Sequence, residues 1–171
     1  MRKLFAFPNP VNEVSARLVA GGVVLLTLLI LVGGQTWAIG VLAYGFVARV
    51  LTGPTLSPLG QFVTRILTPA LPFEEKLVAG PPKRFAQGVG ATLSVTAAVL
   101  HFGFGATTAA LVLVAMITVA ATLESVFAFC LGCTMFAGLM RLGVIPESVC
   151  EECNDIWSRI GRDRDAEPVA A

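Results

Sequence analysis

The sequence predicts an all-α integral membrane four-helix bundle with a short amphipathic interfacial helix between spans 2 and 3. Three observations lead there. The chain of 171 residues is 56% hydrophobic and only 13% charged, where a soluble domain carries about 25% charged residues. Its mean hydropathy is +0.81. Two long stretches, 18–48 and 85–123, hold no Asp, Glu, Lys or Arg at all.

The opening "MRKLFAFPNPVNEV" has the basic start of a signal peptide. "FPNP" then interrupts any apolar run, so the first hydrophobic segment is expected to stay in the mature protein. Stretch 18–48 is too long for one span of about 20 residues and long enough for two short ones. "VGGQTW" is the natural break, because Gly33 and Gly34 favour a turn and Trp37 suits an interface. The result is a helical hairpin at about 14–33 and 36–52, with Arg17 free to snorkel to headgroups.

A polar stretch follows. Within "SPLGQFVTRILTPALP", Ser57 is a good N-cap and Pro58 a good first helical residue. Leu59, Phe62, Val63, Ile66 and Leu67 recur at the spacing of one apolar helical face, while Gln61, Thr64, Arg65 and Thr68 fill the other. Pro69 and Pro72 close the segment. Too short to span, it reads as a helix lying on the membrane surface.

The second uncharged stretch breaks at "HFGFGA", giving helices near 84–102 and from 106 onward. Apolar residues then continue past Glu124 to Arg141. One helix over 106–141 would be about 54 Å long at 1.5 Å per residue, beyond a hydrocarbon core of about 30 Å. It must project, kink or split. Lys and Arg gather in three groups: at the N-terminus, over 49–84, and from Arg141 onward. Four spans put all three on one face. By the positive-inside rule that face is cytoplasmic, which expects an inner-membrane protein with both termini inside. The membrane domain is then 1–142, and 143–171 is a cytoplasmic tail bearing cysteines, disordered at its end. No basic stripe marks a nucleic-acid surface, and no phosphate loop or Ser-His-Asp set is present.

The chemistry-bearing residues are four cysteines in two Cys-x-x-Cys pairs, Cys130 with Cys133 and Cys150 with Cys153. On a continuous helix, residues three apart share a face, so Cys130 and Cys133 point the same way. Gly132 either leaves open space beside them or admits a neighbouring helix. Such a pair serves a dithiol/disulfide switch or half of a metal site. The second pair lies among Glu147, Glu151, Glu152 and Asp155, which disfavour a thiolate. All four together read Cys-x2-Cys-x16-Cys-x2-Cys, within the template of a tetrathiolate zinc site. Catalytic candidates are therefore Cys130 and Cys133, then Cys150 and Cys153. The same four are the ligands if zinc is bound. On an unbroken helix Glu124 sits well around from Cys130, too far to serve it as a base. His101, beside "FGFG", reads as a plain interfacial residue.

"SPLGQF", "PPKRFAQGVGA" and "FCLGC", in that order among four apolar segments, resemble the uncharacterised bacterial membrane family known as domain of unknown function 4395, over roughly residues 10–142. Pro82, Arg84, Phe85, Ala86 and Gln87 match its "PRFAQ"-like stretch, with Lys83 intervening. Phe129, Cys130, Gly132 and Cys133 match its "FCxGC". The family usually has an acidic residue next, where this chain has Thr134. Relatives accompany thioredoxin-like and rhodanese-like proteins, so the resemblance implies thiol or sulfur chemistry with such partners. The expected function is thiol/disulfide or sulfur handling at the bilayer. The alternative is an accessory subunit of a larger membrane complex, with or without a four-cysteine metal site.

Overall fold

The computed structural model describes residues 11–70 and 77–145. Helix α1 (Glu13–Leu31) starts where the Asn12 side chain accepts the Val14 N–H at 2.9 Å. Glu13 in its first turn favours the helix dipole. The chain reverses through Gly34, whose φ of 66° few side chains tolerate, and α2 runs from Ala38 to Thr52. Short α3 (Pro58–Phe62) is capped by the Ser57 hydroxyl, which accepts the Gly60 N–H at 3.2 Å. It widens into a π-helical turn, Val63–Leu67, and ends as α4 (Thr68–Ala70). Helix α5 spans Gly80–Ala98 and also runs on through a π turn, Val99–Gly103. Helix α6 covers Thr107–Phe127 and α7 covers Leu131–Arg141. Strands β1 (Val11–Asn12) and β2 (Leu77–Val78) form a two-residue antiparallel clip that the sequence did not signal.

The hairpin and the break at "HFGFGA" stand where the sequence puts them. Helix α1 packs against α6, α2 against α5, and α5 against both α6 and α7. Val23, Ile30, Ile39, Leu42, Phe46, Val114 and Ile117 meet in the core, with Ala97, Ala110 and Ala121 letting the helices approach. Small residues at such contacts are the usual device where lipid provides no hydrophobic drive. The outer surface is apolar instead: Leu25 is 72% and Val119 60% exposed. Helix α1, the 24 residues Gly80–Gly103, and α6 are long and apolar enough to cross a membrane. Helix α2, with 15 residues, is shorter than a usual span.

Three local features refine the expectations. First, of the options left open for 106–141, the helix is split. Ala128 takes a left-handed φ of 55°, and the N–H groups of Ala128 and Phe129 both return to the Leu123 carbonyl. Second, Arg17 reaches the end of α6. Its Nε and Nη2 donate to the Ser125 carbonyl at 3.2 and 3.1 Å, and Nη2 also reaches the Val126 carbonyl. A cation thus satisfies the orphan carbonyls that end α6. Third, the apolar face of the surface helix divides. Val63 is buried and Leu59 packs against the core, while Phe62 and Ile66 stay exposed. The π turn shifts the helical phase just before Pro69, which cannot donate a backbone bond.

Ala128 supports a prediction. A β-branched residue fits the left-handed region worse than alanine, and glycine fits it better. Unfolding in detergent should find Ala128→Val less stable than Ala128→Gly by about 1–2 kcal/mol.

Candidate functional site

The turn that ends α6 makes Cys130 the N-cap of α7. Its backbone is extended (φ −91°, ψ 105°), and its sulfur accepts the Cys133 N–H at 3.4 Å. The Cys130 carbonyl accepts the Thr134 N–H at 3.0 Å and the Thr134 hydroxyl at 3.2 Å. "CLGC" is therefore a first helical turn, and not two rungs on a long helix. Both thiols are free. Cys130 is buried and Cys133 half-buried. A hydrogen bond from the Cys133 thiol draws the Cys130 pKa below its ordinary value, helped by Lys83 and the Cys133 amide, against burial and Glu124. The same contact, then burial and the Cys130 charge, push Cys133 up. Of the two sulfurs, the shared hydrogen bond favours charge on Cys130 over Cys133.

Helices α5 and α6 complete the site. Lys83 Nζ and Glu124 Oε1 form an ion pair at 2.7 Å. Glu124 lines the same cavity as Cys130, contrary to the expectation from an unbroken helix. The break after Phe127 cancels the helical phase that would have separated them. Helix α7 is held by close contact: a Cβ on Gly132 would lie 2.4 Å from the Ala86 Cβ and 2.5 Å from its Cα. The glycine admits a neighbouring helix and leaves no open space. The Phe85 and Phe136 rings, with centroids 5.7 Å apart, fix the next turn. Behind the thiol lies a cavity of about 230 Å³. Arg49 and Gln87 stand in its wall, with Arg49 Nε donating to Gln87 Oε1 at 3.0 Å.

The model of the Domain of unknown function (DUF4395) family matches residues 11–141. The chain belongs to this family. The DUF4395 match runs from β1 to the last residue of α7, so bundle, cavity and "CLGC" turn all lie within it. Searches of curated proteins and of solved structures find no match.

The second pair, Cys150 and Cys153, lies beyond the DUF4395 match and outside the described residues, as does any four-cysteine site that includes it. Among the described residues, no three His, Cys, Asp or Glu side chains gather as metal ligands. His101 Nδ1 pairs with the Thr107 hydroxyl at 3.1 Å. Sequence reasoning missed Arg49 and Lys83 as members of the site, because both read only as topology charges. The signal for Lys83 and Gln87 was their place in "PPKRFAQ".

Gly90 tests this wall. A Cβ there would meet the Phe46 ring at 2.3–2.9 Å. Gly90→Ala should destabilise by about 1–3 kcal/mol through overpacking, and Phe46→Leu in the same chain should recover part of that loss in thermal unfolding.

Proposed function

We propose that this protein exchanges thiols and disulfides at the membrane, with Cys130 as nucleophile and Cys133 as resolving thiol. The Cys130 thiolate attacks a disulfide of a partner protein, forming a mixed disulfide and releasing one partner thiolate. Cys133 then loses its proton and attacks the Cys130 sulfur. A Cys130–Cys133 disulfide forms and the second partner thiolate leaves. Two electrons pass from this dithiol to the partner's disulfide, and the reverse sequence reduces Cys130–Cys133 again. A thioredoxin-like or rhodanese-like protein has the right chemistry to be that partner. Cys150 and Cys153 are a second dithiol that could relay the same electrons.

The observation that carries this reading is the Cys130 sulfur at the N-cap of α7, bonded to the Cys133 amide. Helix N-termini favour thiolates. The proposed setting is four spans in a bacterial inner membrane with both termini in the cytoplasm, the arrangement that would put the three basic groups of the sequence on one face.

Equilibration of the purified protein with graded glutathione buffers, followed by alkylation and mass measurement, tests the reading. Cys130 and Cys133 should pass reversibly between alkylated and disulfide forms. Thiols that stay alkylated at every ratio would contradict it. So would one zinc per chain, lost when any of the four cysteines becomes serine, which is the signature of a structural metal site in an accessory subunit.

A further inference from the structure

Arg49 and the cavity beside Cys130 carry an inference that does not depend on thiol exchange. Arg49 stands in the last turn of α2 and is only 5% exposed. Its Nε is taken by Gln87, and its guanidinium carbon lies 4.5 Å over the Phe46 ring. Among the described residues, Glu124 is paired with Lys83 at 2.7 Å, and its charge reaches Arg49 only from beyond ion-pair range. Gln87 and Phe46 offer a dipole and a quadrupole, and neither offers a negative charge. A guanidinium keeps four N–H donors beyond Nε. Burying such a cation is strongly unfavourable unless an anion shares the space.

The space is there. The cavity of about 230 Å³ is walled largely by apolar side chains, among them Val19, Val23, Leu93 and Ile117. Its polar wall groups include Arg49, Gln87, Glu124 and the Cys130 thiol. The formal charges in this wall are Arg49 and Glu124; Glu124 is already paired with Lys83, which leaves Arg49 as the wall charge without an ion-pair partner at that range. Arg49 and Gln87 also border a second cavity of about 200 Å³, lined by Asn12, Ser15, Thr64 and Lys83. An engineered cavity of about 150 Å³ accepts benzene. By that scale the larger one holds a body of roughly eight to ten heavy atoms.

We infer that this cavity binds a compact amphiphilic anion, with its acid head on Arg49 and its apolar body against Val19, Val23, Leu93 and Ile117, beside the Cys130 sulfur. The apolar walls select the body and the buried cation selects the head. A free medium-chain acid and the phosphate head with the adjoining part of one chain of an anionic membrane lipid share this chemistry.

The test uses the full chain, reduced, in neutral detergent. Labelling of Cys130 by iodoacetamide is followed by fragment mass spectrometry, with octanoate or octanol added. Octanoate should slow Cys130 labelling several-fold and saturably, and octanol should not. Arg49→Gln should abolish the protection and Arg49→Lys should keep part of it. Equal effects of octanoate and octanol, or undiminished protection in Arg49→Gln, would overturn the inference. If Arg49→Gln does not fold, the wild-type comparison still decides, and Gln87→Leu replaces it as the variant expected to weaken protection. Nanodiscs of phosphatidylglycerol or phosphatidylcholine, without added acid, distinguish the sources. Protection by the anionic lipid alone assigns the ligand to the bilayer, and none in either assigns it to a free acid. Labelling needs only a reduced Cys130, so an inert dithiol would leave this result standing.

Discussion

Glu124→Ala should destabilise the bundle by about 3 kcal/mol, the scale for leaving a buried charge without its partner. Lys83 and Glu124 are 12% and 17% exposed and only 2.7 Å apart. Once the carboxylate is gone, the Lys83 ammonium has lost a charge-assisted bond in a poorly solvated place. Removing both charges should be milder. Lys83→Met with Glu124→Leu keeps the volume and buries no ion, and it should recover most of the loss in urea unfolding. The pair ties α5 to α6 directly beneath the "CLGC" turn. Glu124→Ala should therefore also loosen α7 and raise labelling of the half-buried Cys133, a change that the double variant reverses.

Gly132→Ala should have the second largest effect. The obstacle is the backbone of Ala86 at 2.5 Å, which no rotamer change can relieve. Helix α7 must move away from α5, at a cost of about 1–3 kcal/mol. The Phe85–Phe136 contact should weaken with it, and Cys130 should lose its bond to the Cys133 amide. Loss of thiol exchange beyond the loss of folded protein is the readout that separates a displaced site from an unfolded one. Ala86→Gly in the same chain removes the Cβ but leaves the Ala86 Cα in place, so it should return little of either.

The helices were legible in the sequence because their signals are local and strong. Two uncharged stretches, the glycines at 33 and 34, "HFGFGA" and the Ser57-Pro58 start each mark an element that forms. That 106–141 must project, kink or split was legible from its length, but the place of the split, Ala128, was not. No Gly or Pro marks it, and the left-handed residue is an alanine. What ends α6 is Arg17, more than a hundred positions away, taking the Ser125 and Val126 carbonyls. That contact exists only once α1 lies against α6. The candidate site was half legible for the same reason. The Cys130–Cys133 spacing announced a dithiol, but its place as a helix cap depends on the split. So does the presence of Glu124 in the cavity wall. Lys83 and Arg49 carry no local sign that separates a buried cation from one at a membrane edge.

The measurement that bears most directly on the account is the pH dependence of Cys130 alkylation in the reduced protein. A thiol acting as nucleophile must reach its thiolate below the ordinary cysteine value of about 8.5. The donors to Cys130 are the Cys133 thiol and amide, and the Lys83 charge acts with them; all three lower its pKa. The labelling rate should rise with pH and reach half its plateau below that value. Cys133→Ala removes the first of those donors and should shift the midpoint upward. A wild-type midpoint at or above the ordinary value, unchanged in Cys133→Ala, would contradict the account.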